Sequence, residues 1–206
     1  MVGITNRGWL GLAALGALAV AMPASAQMRS EGSKFLQAVD KKEGQTATAM
    51  LAAPGSTVIN ARDITTNRTA LHIVVERRDQ AWVDFLLARG ADPNLADNKG
   101  VTPLLLAVRI GFMPGVEALV GAKARVDEAN DAGETPLISA VHSRNLDLVR
   151  VLMKASADPD HADNSGRTAR DYARLEDAPT TLVAELNRRN KPKSKGGVGD
   201  TYGPSL

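Results

Sequence analysis

The 206-residue chain contains no cysteine. That excludes disulfides, thiolate metal sites, a cysteine nucleophile and a lipidated N-terminal cysteine, but it does not fix the compartment. Aromatic residues are scarce, with three Phe, two Trp and two Tyr. A core drawn from a 44% apolar composition must then be built of Leu, Val, Ile and Ala. Such a core suits close-packed helices better than a β-sandwich. The signatures of chemistry are missing too. No Gly-rich phosphate loop, HExxH or Ser/His/Asp constellation occurs, so the chain reads as non-catalytic, with no cofactor and no metal. Charge is close to balanced at +2, and the excess is local. Arg188, Arg189, Lys191, Lys193 and Lys195 face only Asp200 at the C-terminus, whereas the body is slightly acidic. This distribution gives no ground for a nucleic-acid-binding face, and no nucleic acid partner is expected.

Long apolar runs are lacking except for one. Arg7 precedes Trp9–Met22, an unbroken stretch of apolar residues and glycine, followed by Pro23-Ala24-Ser25-Ala26-Gln27. The run is too short to span a bilayer with ease, and Ala24 and Ala26 suit a signal peptidase. Residues 1–26 are expected to be a cleaved secretory signal, with Gln27 as the mature N-terminus and a periplasmic or secreted destination. No twin arginine appears, so export of the unfolded chain is expected.

What the body does contain is a period. Gly100-Val101-Thr102-Pro103-Leu104 recurs 33 residues on as Gly133-Glu134-Thr135-Pro136-Leu137, and again as Gly166-Arg167-Thr168-Ala169-Arg170. Asn67-Arg68-Thr69-Ala70-Leu71-His72 precedes them at the same interval. Val83, Val116, Val149 and Leu182 keep the register, as do Leu86, Leu119 and Leu152. A fixed interval of this length marks a repeat array. Each part has a physical reading. Gly or Asn tolerates the positive φ of a tight bend. The Thr oxygen can accept a free N–H at a helix start. Pro103 and Pro136 then sit where a missing N–H costs nothing. Asp79 and Asn145 can cap a second helix, and Gly90 can take a left-handed turn after it. Lys123 and Ser156 replace that glycine, at a cost of about 1 kcal/mol if the conformation is kept. Pro114-Gly115 is expected to weaken the second helix of its unit, making 97–129 the softest inner one.

These residues resemble the ankyrin repeat pattern, Gly-x-Thr-Pro-Leu-His followed by a Leu-Leu pair and Gly-Ala-Asp-x-Asn, here Gly90-Ala91-Asp92-Pro93-Asn94. The resemblance covers about residues 64–186. It implies an all-α solenoid of about five helix-turn-helix units with polar terminal caps. A degenerate N-terminal capping repeat is placed at 27–63, with an extra residue near Pro54-Gly55-Ser56. Full units are placed at 64–96, 97–129, 130–162 and 163–190. Terminal units need a polar face, which accounts for Arg170 and Glu185 at positions that are apolar in inner units. Residues 191–206, with no apolar period and many breakers, are expected to be a disordered basic tail.

The resemblance also implies non-catalytic protein binding, through turn tips and the exposed face of each first helix. Carried over by position, the tips supply Arg68, Asn98, Lys99, Val101, Asp131, Glu134 and Arg167. The helices supply Glu76, Arg77, Arg109, Ile110, His142 and Ser143, with Ile110 and Leu106 as apolar anchors. His72 is expected to hydrogen-bond within its turn. The cluster Asp158, Asp160, His161 and Asp163 departs from the calcium-loop order and reads as a solvated loop. The expected role is a monomeric scaffold or accessory factor for an unidentified protein. The alternatives are a periplasmic inhibitor or immunity protein that occludes a toxin or enzyme, and weak contact of the tail with an anionic membrane surface.

Overall fold

The computed structural model of the chain describes residues 24–188. The expected leader up to residue 23 and the basic tail 191–206 lie outside the described residues. The helices are α1 (Ala24–Asp40), α2 (Gly44–Ala52), α3 (Ala70–Glu76), α4 (Gln80–Ala88), α5 (Pro103–Arg109), α6 (Met113–Gly121), α7 (Pro136–His142), α8 (Leu146–Lys154), α9 (Ala169–Leu175) and α10 (Thr180–Leu186). Among the described residues the only β pairing is an isolated bridge between Arg62 and Thr69.

Among the described residues, consecutive helices pack as five pairs. The inner helices stack in the order α1, α3, α5, α7, α9, and α4, α6, α8 and α10 stack behind them. This is the expected all-α solenoid. The interval of 33 residues sets the pair length, and the threonines set where the inner helices begin. The Thr102 and Thr135 oxygens accept the amides of Leu105 (3.2 Å) and Ile138 (3.3 Å), while Pro103 and Pro136 open the first turn. In the last pair the Thr168 oxygen accepts the Asp171 amide. Asp79 and Asn145 cap α4 and α8.

Leu71, Leu104 and Leu137 are fully buried at the inner helix starts, and Leu86, Leu119 and Leu152 at the outer helix ends. Burying one such leucine contributes roughly 1.5–3 kcal/mol. Arg170 replaces the inner leucine in the last pair, where its guanidinium donates to the Asp160 carboxylate at 2.7 Å.

Lys123 and Ser156 do adopt the left-handed turn, with φ of 67° and 70° beside the 85° of Gly90. Pro114-Gly115 stands in the first turn of α6, whose nine residues equal those of α4 and α8. A Cβ on Gly115 would lie 2.3 Å from the Phe112 ring, so this glycine makes room for a buried aromatic.

Candidate functional site

Neighbouring tips are stitched together. The Asn98 side-chain amide donates to the Thr65 carbonyl (2.5 Å), and that of Asn164 to the Asp131 carbonyl (2.8 Å). Backbone amides of Asn98, Asp131 and Asn164 donate to Thr66, Lys99 and Ala132. The tips and the outward side of the inner helices thereby form one continuous face.

Along that face run two rows of side chains, one exposed and one partly or wholly buried against the core. One holds Glu76, Arg109, His142 and Leu175. Another holds Ile73, Leu106, Ser139 and Tyr172. Cross-links join the rows to the tips and to the adjoining turns. Arg68 pairs with Glu76 at 2.8 Å, Arg109 with Glu134, and His142 Nδ1 lies 2.6 Å from Glu176. Burial raises the Glu134 pKa, but hydrogen bonds from Arg109 and Ser139 outweigh it and leave the group below the usual carboxylate range. The Tyr172 hydroxyl donates to Asp163 at 2.6 Å, with the His142 ring edge-on at 4.5 Å and the Arg167 guanidinium 5.9 Å above. That hydroxyl and the Ser165 hydroxyl hold the Asp163 carboxyl far below its ordinary value. Asp63 is held down likewise by the Thr65 hydroxyl and the Thr66 amide and hydroxyl.

Half of the residues expected from sequence converge on one groove. Arg68, Glu76, Asn98, Lys99, Val101, Leu106 and Arg109, with Thr65, Thr66 and Asp97, line a depression of about 420 Å³ between the first two full tips and helices α3 and α5. Lys99 is exposed at its rim. Asp131, Glu134, His142, Ser143 and Arg167 lie further along the same face, and Ile110 is half-buried at the end of α5.

Two expected contact residues are turned away. Val101 is only 6% exposed, and what it offers is its carbonyl, which meets the His72 ring. The Arg77 guanidinium bends to the preceding pair. It donates to the Val39 carbonyl at 2.6 Å, pairs with Asp79 at 3.3 Å and lies near Trp82, leaving its side chain 16% exposed.

Three residues were missed. Ile64 is 83% exposed and Leu175 67%, and Tyr172 joins the cluster above. The first tip has four residues, Ile64 to Asn67, between Asp63 and Arg68, where the second has three, Asn98 to Gly100, between Asp97 and Val101. Asn98 hooks Thr65 and its counterpart Asn164 hooks Asp131, which makes Ile64 the inserted residue. Counting tip lengths would have found it. It stands between two shallow cavities, one floored by Gly32, Val58 and Ala61 and the other by Leu36 and Ile73.

The acidic cluster is occupied by its own loop. Asp158 accepts the Asp160 amide, Asp160 accepts Arg170, and Asp163 accepts Ser165, the Arg167 amide and Tyr172. Among the described residues, no group of three or more His, Asp or Glu is arranged to hold a metal ion, and no helix is long and apolar enough to cross a membrane.

A stacked array of helix pairs presenting one face of tips and inner helices defines a repeat protein of the binding type. The family model for ankyrin repeats (3 copies) matches residues 35–130 and 111–188. The chain belongs to the ankyrin repeat family, whose members act as protein–protein interaction modules. An ankyrin repeat protein of fowlpox virus (strain NVSL) is 45% identical over 51 residues. That match takes in 25% of this chain and 15% of the viral protein, so the chain spans far less than two thirds of that relative.

Proposed function

We propose that the protein is an exported, non-catalytic binding module that holds a protein partner along its tips and inner helices, as a scaffold or accessory factor. The observation that carries the reading is the pair of apolar side chains left in solvent, Ile64 and Leu175, one near each end of this face. Between them lie the groove and the exposed Lys99, which forms no ion pair among the described residues. Apolar groups inside a charged surround are what a folded protein surface recognises. The cross-linked charges are ordered in advance, which lowers the entropy cost of binding. The leader-like N-terminus supports a periplasmic or secreted site of action.

The test expresses the full chain, cross-links the cells and recovers the protein by affinity for mass spectrometry. A variant carrying Ile64→Asp, Lys99→Glu and Leu175→Asp is run beside it, with helicity checked by circular dichroism. The expected result is a mature N-terminus at Gln27 and a partner that the wild type captures and the variant loses. Identical capture by both would overturn the assignment of the face, and retention of Met1 would overturn export.

A further inference from the structure

His72 is fully buried at the start of α3. Its Nδ1 accepts the Thr69 amide at 3.1 Å and lies 3.0 Å from the Thr69 hydroxyl. Its Nε2 lies 2.9 Å from the carbonyl of Val101, 29 residues on, in the next tip. A carbonyl only accepts, so Nε2 carries the proton. An amide only donates, so Nδ1 carries none. The ring is therefore neutral and of fixed tautomer, and it bolts the α3–α4 pair to the α5–α6 pair.

A second proton is badly placed. On Nδ1 it would face the Thr69 N–H, donor against donor, and the Thr69 hydroxyl, which already accepts the His72 amide, would have to turn from donor to acceptor, with no solvent to take the charge. The charge itself would be buried in an apolar junction. The charged groups nearby do not rescue it. Arg68 and Arg62 oppose a positive ring, and the favourable Asp97 already accepts the Lys99 and Val101 amides. On the neighbouring helices, Asp79 is paired with Arg77 and Arg109 with Glu134, while Asp40 is exposed at the end of α1. The equivalent positions in the later units are Leu105, Ile138 and Asp171, so no other junction holds such a ring.

We propose that His72 is a proton-operated latch: a second proton on its ring parts the α3–α4 pair from the α5–α6 pair, while the α5–α7 junction stays closed. Burial pushes the pKa of the ring below its ordinary 6.5, with the Val101 carbonyl opposing that shift. A lowered folded value means that the opened chain binds the proton more readily. The stability of this junction is therefore complete above about pH 6.5 and is lost as the pH falls below it. Because the tip that carries Val101 walls the groove, acid would release a partner held there, and that consequence rests on the binding reading above.

The opening itself is tested without a partner. Hydrogen exchange is measured on the whole protein at pH 7.5 and 5.5, corrected for intrinsic rates, beside His72→Gln. Glutamine can accept from the Thr69 amide and donate to Val101 without titrating. Protection of amides 69–72, 101–102 and 104–106 is expected to fall about tenfold in the wild type, the limit for one titrating group over that range. It is expected to hold in the variant, and amides 137–153 are expected to hold in both. His142 and His161 are present in both proteins, so the difference reads His72 alone. If His72→Gln does not fold, His72→Leu takes its place, matching the native Leu105. Unchanged protection in the wild type, an equal loss in the variant, or an equal loss at 137–153 would each overturn the latch. The binding reading would be unaffected by any of these.

Discussion

Gly100, Gly133 and Gly166 share a left-handed φ, at 72°, 78° and 78°, but not a surrounding. A Cβ on Gly100 would stand 2.8 Å from the Asp131 amide nitrogen, and one on Gly133 2.5 Å from that of Asn164, whereas Gly166 faces open space. At the first two, the glycine is what lets the next tip come close enough to be stitched. Gly166→Ala is expected to cost only the left-handed strain, about 1–2 kcal/mol. Gly133→Ala is expected to cost clearly more, because backbone must move as well, and urea midpoints of the two variants check the order. The glycine itself was legible in the sequence from the bend it makes. Its second duty was not, because the atoms it makes room for belong to the following unit. The same reason hid the direction of Arg77, whose guanidinium turns to the Val39 carbonyl of the preceding pair, and of Val101, whose carbonyl turns to the His72 ring.

Between inner and outer helices the chain makes a turn that the sequence conceals. Lys42, Arg78, Gly111, Arg144 and Asp177 all have φ between 51° and 66°, and only one of them is glycine. Arg78 and Arg144 offset the strain by donating to the Ile110 and Glu176 carbonyls of the next pair. A residue chosen for its reach tolerates a conformation it does not prefer, so no turn composition marks the site. The helices themselves were legible, since threonine, proline and the leucine pairs act within one unit. After the outer helix the exchange is simpler. Lys123 has a left-handed φ of 67°, and no side-chain hydrogen bond or ion pair of it is seen among the described residues. Lys123→Gly is therefore expected to stabilise the protein by about 0.5–1 kcal/mol, strain relief less the added freedom of the unfolded chain. Thermal and urea unfolding would show the gain.

Across the molecule, one acceptor per unit takes an amide of the next. Asn60 accepts from Asp92 (2.9 Å), Asn94 from Arg125 (2.8 Å) and Asp127 from Asp158 (2.9 Å). The third rung is a carboxylate where the others are amides. Burial raises the Asp127 pKa, Asp158 adds to the shift, and the Asp158 amide opposes it. With a raised folded value, this group weakens the fold at neutral pH, and the penalty eases as the pH falls through the folded pKa. Asp127→Asn keeps the acceptor and removes the charge. It is expected to raise the urea midpoint at pH 7, with a smaller gain at pH 4.5. The opposite sign belongs to Glu134 and Asp171, whose pKa values lie below the ordinary value and whose contributions are lost in acid. The array as a whole was legible because its period is global. The rungs were not, because each joins residues about one period apart through a side chain whose direction composition does not give.

The stitched tips carry a consequence for how such a chain is inherited. From 97 to 129 a unit offers the two Asn98 amides to the tip before it and the Lys99 carbonyl to the tip after it, and the next unit offers its Asp131 amide backward and the Asp131 and Ala132 carbonyls forward. A tandem copy of that stretch would meet its own complement at both ends and fold in place. Copying the first unit would carry Ile64 and the longer tip with it, adding a second projecting isoleucine. Lengthening by duplication would thus extend the middle at little structural cost, and the chemistry of the face would change mainly when its ends are copied.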